Sequence, residues 1–253
     1  MSTGQSILEV HDVSVSFDKF KALDHLNFSM LEGELRVVIG PNGAGKTTLL
    51  DVISGRTRAD SGQIRFNGQD ITRMADFQIV RRGIGRKFQA PSVFPDLSVS
   101  ENLALAARRK RGVLAALFQR RDPEETRRIN EVLELIDLGR LRDQRAGSLA
   151  HGQKQWLEIG MVLVSRPRLM LIDEPIAGMT ASEVARTAGL LRQLLGFCSV
   201  LVIEHDMNFV REIADRVSVF HQGALLTEGS FDRVRADDRV RAVYLGTEEG
   251  AHA

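Results

Sequence analysis

The chain has 253 residues, of which 43% are hydrophobic and 26% charged, and its formal net charge is +1. This length suits one large α/β domain or one domain with an inserted lobe, and the balanced charge excludes a strongly basic nucleic-acid binder, so we expect no nucleic-acid partner. The single cysteine, Cys198, excludes an intrachain disulfide, and without a signal peptide or a membrane-spanning run we expect a cytoplasmic protein.

The first segments of the chain predict strands. Residues 7–17 and 26–30 alternate apolar and polar side chains, which is typical of half-buried antiparallel strands. The apolar run at 35–39 predicts a buried strand, and we expect a helix ending near Gly55 after the glycine-rich loop that follows it. Residues 64–68 predict a hairpin, because Asn-Gly is a strong tight-turn signal.

The loop at residues 40–47 fits the spacing G-x-x-x-x-G-K-[ST] of a nucleotide phosphate cradle. Its glycines let backbone N–H groups converge on phosphate oxygens at a helix N-terminus. Lys46 supplies a charge for the β- and γ-phosphates, and the Thr47 hydroxyl can ligate Mg²⁺. The flanking strand and helix patterns disfavour the alternative, a plain glycine turn. The predicted nucleotide-binding residues here are Gly40, Pro41, Asn42, Gly43, Ala44, Gly45, Lys46, Thr47 and Thr48.

Apolar residues at helical spacing, with proline and glycine breaks, predict an inserted helical lobe over residues 88–160. Basic residues crowd the same third of the chain. They indicate either a solvated helix face or a basic patch that faces anionic lipid or an acidic partner loop. These residues are Arg81, Arg82, Arg86, Lys87, Arg108, Arg109, Lys110, Arg111, Arg120, Arg121, Arg127 and Arg128.

Two apolar runs at 169–172 and 200–203, with a helical segment at 181–195 between them, predict parallel strands joined by a helical crossover. The first run ends in Asp173 and Glu174. We expect it beside the phosphate-loop strand, where Asp173 holds Mg²⁺ or its water shell and Glu174 acts as the general base at the γ-phosphate. The alternative is an ordinary strand terminus with two solvated acids.

The end of the chain predicts a hairpin over residues 217–228 and one closing helix over residues 231–245. The sequence shows neither an internal repeat nor a low-complexity linker. We therefore expect one continuous domain.

Residues 148–155, Ser-Leu-Ala-His-Gly-Gln-Lys-Gln, resemble the signature of the ATP-binding cassette (ABC) family, usually Leu-Ser-Gly-Gly-Gln. Ala150 stands where the family has serine and His151 where it has the first glycine, whereas Gly152 and Gln153 match. The resemblance implies that this segment opens a helix and meets the γ-phosphate held by another subunit's phosphate loop. Without the serine hydroxyl, one potential phosphate hydrogen bond of about 1.5–3 kcal/mol is lost, unless backbone donors, His151 or the neighbouring Ser148 compensate. His151 either binds the triphosphate directly or is a surface imidazole.

The resemblance implies roles for four further positions. Gln89 matches the family glutamine that approaches Mg²⁺ and the attacking water and links the nucleotide to the helical lobe. His205 matches the switch histidine that contacts the γ-phosphate. Phe17, with Phe20 as the second candidate, is the aromatic expected to stack on adenine, and the alternative is a strand-core side chain. The family loop after the catalytic base usually ends in an aspartate that crosses the dimer interface, whereas Thr180 offers only a hydroxyl or its backbone there.

The resemblance covers residues 7–246 and implies the α/β fold of a P-loop NTPase of the ABC ATPase type. It predicts a mixed central sheet with an antiparallel β subdomain, built from residues 7–87 and 161–246. Residues 88–160 form the helical signature subdomain in this prediction.

Shorter segments narrow the resemblance to importer ATPases of the branched-chain amino acid and urea group. These segments are residues 85–89, 93–94, 97–102, 177–180 and 244–246, and residues 150–161 look most like the urea-type subunit. The resemblance implies an ATPase with ATP and Mg²⁺ as cofactors, held at the cytoplasmic face of the cell membrane. Its implied partners are a second cassette subunit, transmembrane permease subunits and, indirectly, a periplasmic solute-binding protein. The alternatives are a soluble non-transport cassette ATPase, whose usual coiled-coil insertions or second cassette are absent here, and a phosphate-loop kinase, which leaves Gln153 and His205 unexplained.

Overall fold

The computed structural model describes residues 4–87, 93–107 and 123–249. The strands are β1 Ser6–Phe17, β2 Phe20–Leu31, β3 Leu35–Ile39, β4 Ser61–Phe66, β5 Gln69–Asp70, β6 Ile84–Lys87, β7 Leu169–Asp173, β8 Ser199–Ile203, β9 Arg216–His221 and β10 Ala224–Gly229. The α-helices are α1 Lys46–Ile53, α2 Asp76–Arg82, α3 Val99–Ala107, α4 Pro123–Leu135, α5 His151–Leu163, α6 Ala181–Leu194, α7 Met207–Ile213, α8 Phe231–Ala236 and α9 Asp238–Glu249.

A four-stranded antiparallel sheet has the order β2-β1-β4-β5. Val10 of β1 pairs with Phe28 of β2 on one side and with Ile64 of β4 on the other, and all three are buried. Alternating side chains therefore give one apolar face, as expected for half-buried antiparallel strands. The predicted strands and the predicted Asn-Gly hairpin are confirmed.

A six-stranded mixed sheet has the order β10-β9-β3-β8-β7-β6, in which only the β9–β10 pair is antiparallel. Every residue of β3, β7 and β8 is buried, which explains their continuous apolar runs. The prediction that β7 lies beside β3 is wrong, because β8 lies between them, with Val202 paired to both Val37 and Ile172. The predicted fold class is confirmed.

The helices α3, α4 and α5 pack together through an apolar cluster that includes Leu103, Ile129 and Trp156. The predicted limits of the helical subdomain remain a prediction, and α5 continues to Leu163, beyond residue 160. The prediction of a single closing helix is wrong, because α8 and α9 are separate helices. Between them, Asp237 has an extended ψ of 118°, and its carboxylate accepts from the Arg239 N–H at 3.0 Å. Among the described residues, no helix combines the length and apolar character needed to cross a membrane.

Candidate functional site

The phosphate loop joins β3 to α1 and is held in a conformation that only glycine adopts without strain. Gly40, Gly43 and Gly45 have φ values of +150°, +77° and +96°. A Cβ atom on Gly45 would lie 2.3 Å from the Ala22 carbonyl oxygen, and one on Gly40 would lie 2.3 Å from the Phe220 carbonyl oxygen. Both glycines are therefore required by close backbone contacts as well as by φ.

Lys46 is the first residue of α1, and its ammonium turns back onto the loop. Its Nζ donates to the carbonyl oxygens of Gly40 at 2.7 Å and Pro41 at 2.9 Å. Burial lowers the pKa of Lys46, while the nearby Glu174 and Asp173 carboxylates raise it. The ammonium thus lies close to the predicted base Glu174 and the predicted metal ligand Asp173, with donors that can exchange loop carbonyls for phosphate oxygens.

Asp173, the last residue of β7, meets the phosphate loop although β8 separates their strands. The Thr47 Oγ1 donates to Asp173 Oδ2 at 3.5 Å. Burial raises the pKa of Asp173, the Glu174 charge raises it further, and Arg86 and Thr47 lower it. A hydroxyl beside a buried carboxylate fits the oxygen ligands preferred by Mg²⁺. Both predicted metal residues that the structure describes are therefore brought together.

Glu174 follows in a left-handed backbone conformation with φ of +45°. Such a conformation costs about 1–3 kcal/mol in a residue other than glycine and persists where surrounding contacts fix it. Its Oε1 lies 3.5 Å from Nδ1 of His205, and both side chains are partly exposed. The predicted base and the predicted switch histidine thus face each other beside the phosphate loop.

Glu204 is a residue of this site that the sequence prediction missed. It is buried directly after β8, and its Oε2 accepts from the backbone N–H groups of His205 at 2.7 Å and Asp206 at 3.1 Å. These bonds fix the turn that carries His205. The signal was present in the sequence, because a carboxylate at the end of an apolar strand needs buried donors.

Phe17 is 49% exposed and pairs in register with Phe20, which is 57% exposed. Neither ring is therefore a strand-core side chain. The strand β2 that begins at Phe20 also brings the Ala22 carbonyl against Gly45 of the phosphate loop. Stacking of Phe17 on adenine stays a prediction.

The signature segment opens α5. Ala150 is the N-cap residue and provides no side-chain hydrogen bond, but Gln153 Oε1 accepts from the Ala150 N–H at 3.0 Å. The hydroxyl of Ser148 donates to the Arg145 carbonyl at 2.7 Å, so it does not replace the missing serine at the cap. Both Ala150 and His151 are exposed.

The loop after Glu174 packs against this helix start. His151 Nε2 lies 3.1 Å from the carbonyl oxygen of Ala177. A Cβ atom on Gly152 would lie 2.4 Å from Oε1 of Glu183, so the Glu183 side chain of α6 occupies the space beside Gly152. Thr180 is the N-cap of α6, since its Oγ1 accepts from the Glu183 N–H at 3.4 Å. Its own N–H and hydroxyl each donate to Glu183 Oε2 at 2.8 Å. The Thr180 hydroxyl is therefore engaged within its own chain.

The basic residues grouped by sequence do not form one surface. Arg86 is buried in an ion pair with Asp51 at 2.7 Å, and Lys87 is buried near Glu158. For these two residues both predicted interpretations, a solvated face and a basic patch, are wrong. Arg108 to Arg111, Arg120 and Arg121 lie outside the described residues, and so does Gln89, whose predicted role stays a prediction.

Two models of protein families match parts of this chain. A family model described as ABC transporter matches residues 23–177, and a model described as branched-chain amino acid ATP-binding cassette transporter matches residues 224–250. The high-affinity branched-chain amino acid transport ATP-binding protein BraF of Pseudomonas aeruginosa is 34% identical over 249 residues, which are 95% of this chain and 98% of BraF.

Two further relatives agree with this result. The high-affinity branched-chain amino acid transport ATP-binding protein LivG of Escherichia coli K12 is 33% identical over 251 residues, covering 96% of this chain and 98% of LivG. The crystal structure of the ADP conformation of MJ1267, an ATP-binding cassette of an ABC transporter, superposes with a TM-score of 0.86 at 31% identity, covering 96% and 99% of the two chains.

Proposed function

This chain belongs to the ABC transporter family, in its branched-chain amino acid ATP-binding cassette group, and we propose that it binds and hydrolyses ATP to drive solute import through membrane permease subunits. The observation that carries this proposal is the meeting of Lys46, Asp173, Glu174 and His205 at the carboxyl ends of the central strands. The relatives are transport ATP-binding proteins, which favours an importer over a soluble non-transport cassette ATPase.

The site residues have separate chemical roles in this proposal. The phosphate loop and Lys46 bind the triphosphate, and Thr47 and Asp173, with Gln89, are the residues that would hold Mg²⁺, which neutralises charge on the phosphate oxygens. Glu174 accepts the proton of a water that attacks the γ-phosphorus, and the γ-phosphoryl group leaves ADP as inorganic phosphate. The His205 Nδ1 is 3.5 Å from Glu174 Oε1, which supports a role for His205 in hydrogen-bonding the γ-phosphate beside the attacking water.

The site is completed by a second cassette subunit in this proposal. In this chain the signature residues Ala150 and His151 are exposed at the start of α5, and the N-terminus of a helix favours a bound anion. The nucleotide held by one chain would meet the signature of its partner. Either a second copy of this chain or a related cassette provides that partner.

An apolar groove supports the permease as a partner. It has a volume of about 580 Å³ and runs between α2, β6, α3 and α5. Phe77, Phe94 and Leu105 line it and are 55%, 47% and 44% exposed. Large exposed apolar side chains around one groove indicate a protein-binding surface. A permease segment docked here would place this chain peripherally on the cytoplasmic face of the membrane.

The solute is a separate question, because the energy-coupling subunit does not contact it. The names of the relatives support a branched-chain amino acid. The resemblance of residues 150–161 to the urea-type subunit favours urea as the second candidate. ATPase activity of the chain reconstituted with its permease subunits and a periplasmic binding protein separates the two, since only the correct solute increases turnover.

The test of the ATPase assignment is Glu174→Gln. We expect turnover to fall by at least about 100-fold, because the amide cannot accept the proton, while ATP binding is kept and ATP now traps a dimer. Turnover and ATP-dependent dimer formation are measured on the same preparation. The matched control is Glu212→Gln, an exposed carboxylate on α7, which keeps wild-type turnover. Unchanged turnover in Glu174→Gln contradicts the assignment of the base.

A further inference from the structure

A line of polar contacts crosses from the central sheet to the helical region. It begins at Lys87, the last residue of β6, which pairs in register with Ile172, directly before Asp173. The Lys87 side chain is 3% exposed, and Glu158 Oε2 lies 3.8 Å from its Nζ. Burial lowers the pKa of Lys87, while Glu158 and Asp173 raise it. Lys87 is thus a fixed, charge-compensated donor next to the metal-binding strand.

Gln155 on α5 is the second member. The Lys87 Nζ donates to Gln155 Oε1 at 2.5 Å. An ammonium only donates, so the amide oxygen of Gln155 faces Lys87 and the amide nitrogen faces away from it. That nitrogen lies 3.1 Å from His151 Nε2 and 3.5 Å from the Ala177 carbonyl oxygen. Lys87 therefore sets the orientation of the Gln155 amide toward the loop.

His151 is the third member, one helical turn before Gln155. Its Nε2 is 3.1 Å from the Ala177 carbonyl oxygen. A carbonyl oxygen only accepts, so we assign the proton to Nε2, which donates to Ala177, and the Gln155 amide nitrogen donates to the same oxygen and not to the imidazole. Gly178 has φ of +72°, and a Cβ atom there would come within 3.4 Å of Nε2. The imidazole at the signature position thus lies against the loop of its own chain.

Ala177 belongs to the turn that carries the catalytic base. Its N–H donates to the Glu174 carbonyl at 3.4 Å, and the Glu174 N–H donates to the Ile203 carbonyl at 3.0 Å. The left-handed conformation of Glu174 needs such contacts to persist. Two residues of α5, His151 and Gln155, supply the side-chain contacts to the Ala177 carbonyl oxygen of this turn.

We propose that Lys87, Gln155 and His151 form a polar relay that positions the Glu174 turn, so that His151 acts through the Ala177 backbone and not as a ligand of the partner's γ-phosphate. The relay rests on the proposed function, because it takes Glu174 as the base. Movement of the signature helix is then transmitted to the base of the same chain. His151, Gln155 and Lys87 are positioning residues in this scheme.

Steady-state ATPase kinetics of the full chain test the relay. In His151→Ala and in Gln155→Met we expect kcat to fall about tenfold with KM for ATP within about twofold, because a slightly displaced base slows chemistry without weakening nucleotide binding. The double variant falls no further than either single one, since both remove the same relay. His151→Gln recovers most of kcat, because its amide reaches the Ala177 carbonyl. The control His11→Ala, an exposed histidine on β1, keeps wild-type values.

Three results overturn the relay. A raised KM with unchanged kcat in His151→Ala makes His151 a phosphate ligand, unchanged kinetics make it a surface imidazole, and multiplicative losses in the double variant separate the two residues. Thermal unfolding of each variant shows whether it folds, and if His151→Ala does not, His151→Gln and Gln155→Met decide. An active Glu174→Gln variant would instead refute the proposed function itself.

Discussion

The phosphate loop and the start of α5 are the two predicted phosphate-binding segments, and their local structures differ. In the loop, Gly40 and Gly45 are pressed against neighbouring carbonyl oxygens, and Lys46 is bonded to the loop itself. At the start of α5, Ala150 and His151 are exposed, and the cap has no side-chain hydrogen bond. In our proposal, the phosphate loop is built by one chain alone, whereas the start of α5 is half of a site that a partner's nucleotide completes.

This difference explains where the chain departs from its family. Close contacts leave no space for a side chain at Gly40 or Gly45, so the loop keeps the family pattern. The start of α5 has space for Ala150 and His151 because both point into solvent or onto a loop. If a partner completes the site as proposed, variation is tolerated at the half whose strength depends on that partner. The predictions below act either on the phosphate loop, residues 40–47, which we call the loop half, or on the start of α5, which we call the signature half or outward half.

Lys46→Ala should have the largest effect on ATP binding, and this effect should come from the loop half alone. Loss of a charge-assisted phosphate contact of about 1.5–3 kcal/mol lowers ATP affinity of the isolated chain at least tenfold. Lys154→Ala, a lysine on α5, is the matched control and keeps the affinity of the isolated chain. Calorimetric titration with ATP measures both. Equal losses in the two variants would show that the halves are not independent.

The loop half was predictable from sequence because its parts are local. Glycine spacing, the preceding strand and the following helix fix residues 40–47, and the structure has them as expected. The order of β3, β8 and β7 was not predictable, because all three are equally apolar runs. Their carboxyl ends nevertheless converge, so Asp173 reached Thr47 despite the wrong neighbour.

The signature half was less predictable because its contacts join distant segments. From the sequence alone, His151 was either a phosphate ligand or a surface imidazole. Its contact with Ala177 depends on how α5 packs against the loop after β7, which the sequence does not show. Lys87 was grouped with basic surface residues, whereas packing of α5 across β6 buries it. The position of Glu158 three residues after Gln155 carries no local signal for that pairing.

Phe17→Ala tests the adenine end of the loop half. If the ring stacks on adenine, ATP affinity falls about tenfold, since base stacking on an aromatic contributes roughly 1–3 kcal/mol. Phe20→Ala is the matched control, with the same ring chemistry and similar exposure. Nucleotide titration measures both variants. A loss confined to Phe20→Ala would assign the stacking role to Phe20, and no loss in either would remove it from this turn.

Ala150→Ser should have the smallest effect, and it tests whether the outward half is weak for the reason given. A serine N-cap stabilises a helix start by about 1 kcal/mol and restores a hydroxyl for the partner's γ-phosphate, so ATP-dependent dimerisation in the Glu174→Gln background should tighten about fivefold. ATP affinity of the isolated chain should stay unchanged, because the loop half is untouched.

The variant Ala150→Asp separates capping from phosphate binding. Aspartate also caps α5 and interacts favourably with the helix dipole, but its charge repels the phosphate. Thermal stability should therefore rise in both variants while dimerisation, measured by sedimentation, strengthens only in Ala150→Ser. If Ala150→Asp dimerises as well as Ala150→Ser, capping alone sets the strength of this half and no phosphate reaches position 150.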